Sequence, residues 1–446
     1  MFREIPNNIK IIKLFILLSF LVCWMSISTS FKDLLIFDEN YDFNLKNIIN
    51  FFRHLSIYIC FFFSILIFLF FKKKINFKKY IIFYFLICYF ISQVYGLFAS
   101  GNEISNISFV ISALTAIITI ILIDSFFTKN EKKYFIIISF IILNIVFFLT
   151  FSPLFINYLN GGSIYGGFVD SGVFMNKTSP RSSGLARMAL IILMFIEIFE
   201  IYFLKKHIKK IFFLKITFLT FIFLFQSRTI FFLTIFTYFL IFIHKNKISF
   251  KSFYKFFSSY ILIPIILFFL FSTLNSYQFA KRGHTLLNEE MKFSENTKRL
   301  LLDTIEHLNS DELRILRNMT PKDISSGRFK DWDEILTKMS GKNIIYGFGA
   351  QGDRYLIKQS ASNGFIYAYS SSGLIGLIFF IIFVIMVFLK TFKFFIYNLI
   401  KNINEIYHCL IISFLSLRTI LETSYAVFSI DLIVFILALS FIFDNN

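Results

Sequence analysis

Long, unbroken apolar runs restrict the fold of this chain more than any other feature. They occupy 11–28, 55–71, 80–99, 107–126, 134–154, 185–204, 211–225, 229–243, 256–274, 365–389, 406–420 and 425–443. A bilayer core about 30 Å thick takes roughly 20 helical residues to cross. Lipid offers backbone polar groups no partners, so each run must close its own hydrogen bonds as a helix. The runs are continuous rather than alternating, which excludes a transmembrane β-barrel. The expected fold class is therefore an all-α polytopic membrane protein with about 12 transmembrane helices. Of the 446 residues, 57% are hydrophobic and only 16% charged. Soluble globular chains carry about 25% charged residues, so a water-soluble enzyme and a disordered chain are both excluded.

Charge then orients the runs. Basic residues exceed acidic ones by 18, which in a soluble protein would suggest nucleic acid. Here the lysines fall in alternate connections. Lys72, Lys73, Lys74, Lys78 and Lys79 form one group, Lys129, Lys132 and Lys133 a second, and Lys205, Lys206, Lys209 and Lys210 a third. Lys245, Lys247, Lys251 and Lys255 follow, then Lys390, Lys393 and Lys401. By the positive-inside rule these connections and both termini are cytoplasmic, and the excess needs no nucleic acid. The first run is long for a signal-peptide core and lacks a small-x-small cleavage site, so it reads as the first span. Cys23, Cys60, Cys88 and Cys409 lie in or beside apolar runs without a CxxC pair, which supports neither a zinc site nor a disulfide framework.

Two connections on the opposite side are long. A Gly-, Ser- and Asn-rich loop covers 155–184, and a polar segment covers 275–364. The expected organisation is a membrane domain over 1–274 with helices 1–9, a large loop over 275–364, and helices 10–12 over 365–446. The large loop is expected to be partly helical. The run 298–319 places Leu300, Leu301, Ile305, Leu308, Leu313 and Leu316 at helical spacing, and 326–339 places Phe329, Trp332, Ile335 and Leu336 likewise. Long ordered loops are usually functional.

Arginine is the informative residue on that outer side, because it opposes the positive-inside tendency. Arg181 and Arg187 flank the start of the run 185–204, and Arg228 sits in QSRT between two runs. Arg328 sits in SGRFKDW, and Arg418 lies one turn before Glu422. Guanidinium suits bidentate phosphate binding, and several converging arginines suit a pyrophosphate at the membrane surface. A single outer arginine also snorkels to lipid phosphate, and Arg418 and Glu422 suit an i,i+4 pair. Trp332 suits a packing post for its helix better than a sugar platform. Gly347 and Gly349 in YGFGAQGD suit a structural turn better than a phosphate cradle, because no strand–helix unit surrounds them. Asp331 and Asp333 form a DxD pair, but at i,i+2 on a helix they point apart. The six histidines lack metal-ligand spacing. Nothing in these motifs calls for a metal or a cofactor.

Taken together, SGRFKDWDEIL, NIIYGFGAQGD and SASNGFIYAYSSSGLIGLIFF resemble the long-loop signature of O-antigen polymerases and the related ligases. SPRSSGLAR and QSRT resemble the arginine-bearing sites of the same family. The resemblance implies a multi-pass protein of the bacterial inner membrane with the large loop in the periplasm. It implies glycan transfer from undecaprenyl pyrophosphate to a sugar hydroxyl, with a flippase and a chain-length regulator as partners. By resemblance, Arg181, Arg187, Arg228 and Arg328 engage the pyrophosphate. Gly347, Gly349 and Asn363 match motif positions at the return to the membrane. Many members, ligases especially, carry His directly before that Asn. Ser362 stands there in this chain, which points away from a ligase. Pyrophosphate leaves readily once its charge is stabilised, and arginines supply that without a metal. A general base for the acceptor hydroxyl is expected from Asp353 or Glu422, and Tyr367 is a candidate sugar-stacking ring. A ligase acting on lipid A core and a transporter of lipid-linked oligosaccharide are the competing readings.

Overall fold

The computed structural model describes residues 7–27, 45–71, 76–159, 182–204, 209–225, 227–245, 254, 257–290, 328–401 and 406–443. Among them every regular element is helical. In chain order these are α1 (Asn7–Ser26), α2 (Leu45–Phe70), α3 (Ile81–Ser100), α4 (Ile107–Phe126), α5 (Lys129–Leu159), α6 (Ser182–Phe199), α7 (Lys209–Leu224), α8 (Arg228–Lys245) and α9 (Ile263–Glu290). The return segment carries α10 (Arg328–Lys338), α11 (Asn343–Tyr346) and α12 (Gly352–Ile357). The chain then ends with α13 (Gly364–Lys401), α14 (Ile406–Leu421) and α15 (Ile430–Phe443). The amphipathic run expected over 298–319 lies outside the described residues, as does 160–181 within the expected 155–184 loop.

Six of these helical stretches are long and apolar enough to cross a membrane: Ile9–Ser26, Ile81–Ser100, Ile104–Phe126, Lys129–Ile156, Ser258–Tyr277 and Gly364–Ile396. Leu55–Phe70, Thr229–Phe242, Ile406–Leu421 and Ile430–Phe443 are shorter apolar helices. The protein is thus a multi-pass helical membrane protein. Many large apolar side chains are exposed, Phe70, Phe232 and Leu149 among them, as a surface facing hydrocarbon allows.

The inner helices are α4, α6, α14 and α15. Every residue of α15 is buried, and α4 is buried along most of its length. Helices apolar all round belong inside a bundle. The most extensive helix contact among the described residues joins α3 to α13. Ionisable groups at membrane depth are costly unless paired, and the bundle pairs one such group. Lys215 of α7 lies 2.7 Å from Glu197 and 2.6 Å from Glu200, all three buried. Glu200 opens a π-helical turn, Glu200–Leu204, that continues α6.

Helix α13 differs from a plain span. Gly373 has φ 60 and ψ −160, which breaks the helix after its first turns. The break frees the carbonyls of Ser370 and Ser371, which accept hydrogen bonds from Phe348 N and Gly349 N at 2.8 Å each. Backbone that leaves the helical ladder at membrane depth must find partners within the protein. The return segment supplies them. A Cβ at Gly373 would meet the Ile345 carbonyl oxygen at 2.2 Å, and one at Gly347 would meet Ser372 N at 2.4 Å. Both positions also have positive φ, where glycine carries no steric penalty.

Candidate functional site

The return segment docks on the bundle through hydrogen bonds that its sequence makes possible. Trp332 of α10 donates from Nε1 to the Ala361 carbonyl at 2.7 Å. Asp353 accepts from Ala361 N through one oxygen and from Arg354 N through the other, each at 2.8 Å. Tyr367 accepts from Gln351 N at 3.2 Å. Asn363 stands just before α13 and caps it, with Oδ1 accepting from Phe365 N at 2.8 Å and Ile366 N at 3.0 Å. Its Nδ2 donates to the Ile420 carbonyl at 2.8 Å, tying the start of α13 to the end of α14. Ser362 has φ 49, a left-handed turn residue between these posts. Gly347 and Gly349 sit in the tight turn that pairs with Ser370 and Ser371.

Beside this dock, four elements bring charged side chains together. Asp431 is the second residue of α15, where a helix N-terminus favours an anion. Arg187 of α6 places Nε 3.3 Å from one Asp431 oxygen and Nη1 3.5 Å from the other. Arg418, in the last turn of α14, also donates from Nη1 to Asp431. Its Nη2 lies 3.9 Å from Glu422. Arg328, the first residue of α10, donates from Nη2 to Glu422 at 3.2 Å. The result is a row of alternating charge running Arg187, Asp431, Arg418, Glu422, Arg328, with three cations against two anions.

The row is most buried at its centre. Side-chain exposure is 19% at Arg187, 0% at Asp431 and 5% at Arg418, then 22% at Glu422 and 27% at Arg328. The excess positive charge is therefore most open at Arg328. The Nε groups of Arg187 and Arg418 are buried and make no hydrogen bond, although Arg187 Nε lies 3.3 Å from Asp431. A buried donor without an acceptor is costly. An arriving oxyanion would be stabilised by the exposed Arg328 guanidinium and by the net charge.

Among the residues expected to act on substrate, the structure brings Arg187, Arg328, Arg418 and Glu422 into one row, with Asn363 linked to the same helix end. Arg181 lies outside the described residues, and Arg228 is described only as the first residue of α8. Asp353 is almost completely buried. Burial pushes its carboxyl up from the usual range, against the lowering effect of its backbone donors. Both of its oxygens are occupied by backbone N–H groups of the turn it organises.

Asp431 lies in no sequence motif, though a lone acid inside the apolar run 425–443 is a signal in its own right. Among the described residues, no group of three His, Cys, Asp or Glu side chains is placed to hold a metal ion.

Residues 213–381 match a family described as O-antigen ligase (Wzy_C). The stretch includes Arg228, Arg328, Trp332, Gly347, Gly349, Asp353, Ser362, Asn363 and Tyr367, and with them the signature on which the resemblance was read. Arg187, Arg418, Glu422 and Asp431 lie outside it and join it through the geometry above. No curated protein and no solved structure matches the chain.

Proposed function

We propose that this chain, with its O-antigen ligase-family region over 213–381, is a polysaccharide polymerase of the bacterial inner membrane. It moves a glycan from undecaprenyl pyrophosphate to a sugar hydroxyl of the next lipid-linked repeat unit. The observation that carries this reading is the arginine row, net positive and open at Arg328. In the reaction, the acceptor oxygen forms a bond to the anomeric carbon of the donor sugar. The bond from that carbon to the pyrophosphate oxygen breaks, and its electron pair leaves with undecaprenyl pyrophosphate. Charge grows on the departing oxygen, and fixed guanidinium donors stabilise it there without reorganising. Arg328 and Arg418 are the residues assigned to that task, with Arg187 behind them. Arg181 and Arg228 belong to the same proposal through the family resemblance alone.

The acceptor hydroxyl must lose its proton. Glu422 is the carboxylate assigned to receive it, because it is partly exposed and lies between Arg328 and Arg418. Asp353 is assigned instead to holding the return segment, because both of its oxygens are occupied. Trp332 and Tyr367 are assigned to the same docking role by their hydrogen bonds. The large loop is periplasmic in this reading, and both termini are cytoplasmic.

A ligase that transfers finished glycan to lipid A core is the second reading, and the family description favours it. Ser362, in the position where ligases carry His, favours the polymerase. Deleting the gene separates the two. Loss of a polymerase leaves single repeat units on the core, whereas loss of a ligase leaves none. A transporter would leave lipid-linked units unflipped, and the purified protein would not extend units that are already accessible.

A further inference from the structure

A second charge cluster lies at the other end of the bundle and has no part in the chemistry proposed above. Asp124, near the end of α4, is fully buried in its side chain. It accepts from Tyr80 Oη at 2.5 Å, lies 2.5 Å from Lys79 Nζ and pairs with Lys132 of α5. Lys390 of α13 stands beside the same cluster, over the Phe443 ring that packs on Tyr80, the hydroxyl donor to Asp124. Lys79 and Lys132 therefore share one carboxylate, and Lys390 adds a third ammonium group beside them.

Lys390 is half-buried. Its Nζ stands 3.7 Å from the centroid of the Phe443 ring. Among the described residues it has no hydrogen-bond or ion-pair partner. One ring face cannot occupy three N–H donors. Phe443 is fixed in turn by Phe83, at 5.3 Å between ring centroids, and by Tyr80, at 6.3 Å. The ring beneath the lysine is thus packed on its other side, which leaves the ammonium donors to the half-exposed side.

Depth identifies what can reach those donors. Lys390 is 17 residues beyond the break at Gly373. At about 1.5 Å per residue this is roughly 26 Å from a point already at membrane depth, against a hydrocarbon thickness of about 30 Å. The Gly364 end carries the arginine row, so Lys390 lies near headgroup level on the opposite face. Lys79 stands just before α3 and Lys132 in the first turn of α5, at helix ends where headgroups also lie. Basic pockets between transmembrane helices on this side bind acidic lipid headgroups.

We propose that Lys79, Lys132 and Lys390 form a site for a phosphate monoanion, supplied by the phosphodiester of an acidic phospholipid. Lys390 and the part-exposed Lys79 contact the phosphate. Lys132, held by Asp124, sets the field behind them.

The test uses the purified full-length protein in nanodiscs of phosphatidylcholine, with or without phosphatidylglycerol. Native mass spectrometry reads retained lipid, and thermal unfolding reads stabilisation. Lys390→Met should retain about fivefold less phosphatidylglycerol than wild type, the change expected for one lysine facing an anionic lipid surface. Its unfolding temperature in phosphatidylcholine alone should not fall, because the substitution removes one of three mutually repelling cations. Lys393→Met, at an exposed position three residues on, should retain the lipid as wild type does. If Lys390→Met does not fold, Lys79→Gln carries the same comparison.

Inorganic phosphate added to phosphatidylcholine discs separates the sources. Stabilisation by phosphate that requires Lys390 would support the site with a soluble occupant. The proposal is overturned if Lys390→Met retains phosphatidylglycerol like wild type, or if Lys393→Met loses as much.

Discussion

Replacing Asp431 by Asn removes the charge on which the buried centre of the arginine row depends. In the native protein this carboxylate has no exposure, and two guanidinium groups converge on it. Arg418 is only 5% exposed, and its other carboxylate contact is at 3.9 Å. The substitution therefore leaves a buried cation without a close counter-ion. Removing one partner of a buried pair costs about 3–5 kcal/mol. The Asn amide oxygen still accepts one hydrogen bond, so the lower end applies, about 3 kcal/mol, or roughly a hundredfold in the folded-to-unfolded ratio.

Trp24 and Trp332 are the two tryptophans of the chain, and their emission during denaturant unfolding in mixed micelles reads the change. Arg418→Met placed on top of Asp431→Asn should recover about 1 kcal/mol or more, because it removes the stranded cation. An unfolding free energy for Asp431→Asn within about 0.5 kcal/mol of wild type would refute the electrostatic account of this cluster.

Three further outcomes follow from the return segment. Gly373→Ala places a Cβ 2.2 Å from the Ile345 carbonyl oxygen at a positive φ, so it should destabilise the dock by about 2 kcal/mol or more, read as faster proteolysis within 328–363. Trp332→Phe removes the hydrogen bond to Ala361 and should cost about 1 kcal/mol on thermal unfolding. Asp353 binds its proton more tightly folded than unfolded. Its contribution to stability is therefore greatest below the unfolded carboxyl value of about 3.9 and is lost as pH rises through the raised folded value. Subtracting the pH–stability profile of Asp353→Asn from that of wild type should isolate this slope, and a difference rising with pH over that window would contradict it.

The spans were legible in the sequence in part: of the twelve apolar runs, six correspond to helical stretches long and apolar enough to cross a membrane. Continuous apolarity has one structural solution in lipid, and α3, α4, α5 and α13 lie where the runs predict them. The signature around Arg328 was legible too, because its residues are close together in the chain. The break at Gly373 was not. SSSGLIG reads as small residues within a span, and what opens the helix is a partner more than twenty residues upstream, the 348–349 backbone. The last apolar run was likewise expected whole over 425–443. Its first residues instead form a short turn, Ser424–Ala426, held by Tyr89, which donates to the Ala426 carbonyl at 2.8 Å. That turn sets the start of α15 at Ile430 and brings Asp431 to Arg187 and Arg418. Spacing along the chain carries no trace of such a contact, whereas the rarity of acids at membrane depth does point to Asp431.

The most direct measurement of the central claim is glycan extension by purified protein from a lipid-linked repeat unit, comparing wild type with Arg328→Ala and Arg328→Lys. Arg328 is the open end of the row, with Glu422 as its ion-pair partner among the described residues, so its loss should leave the bundle folded. Removing one donor to a developing oxyanion typically costs about 10²–10³ in kcat. Arg328→Ala should fall by that factor, and Arg328→Lys, which keeps the charge without the fork, should fall by less. A folded Arg328→Ala protein that builds full-length glycan at the wild-type rate would contradict the assignment of the arginine row to the leaving pyrophosphate.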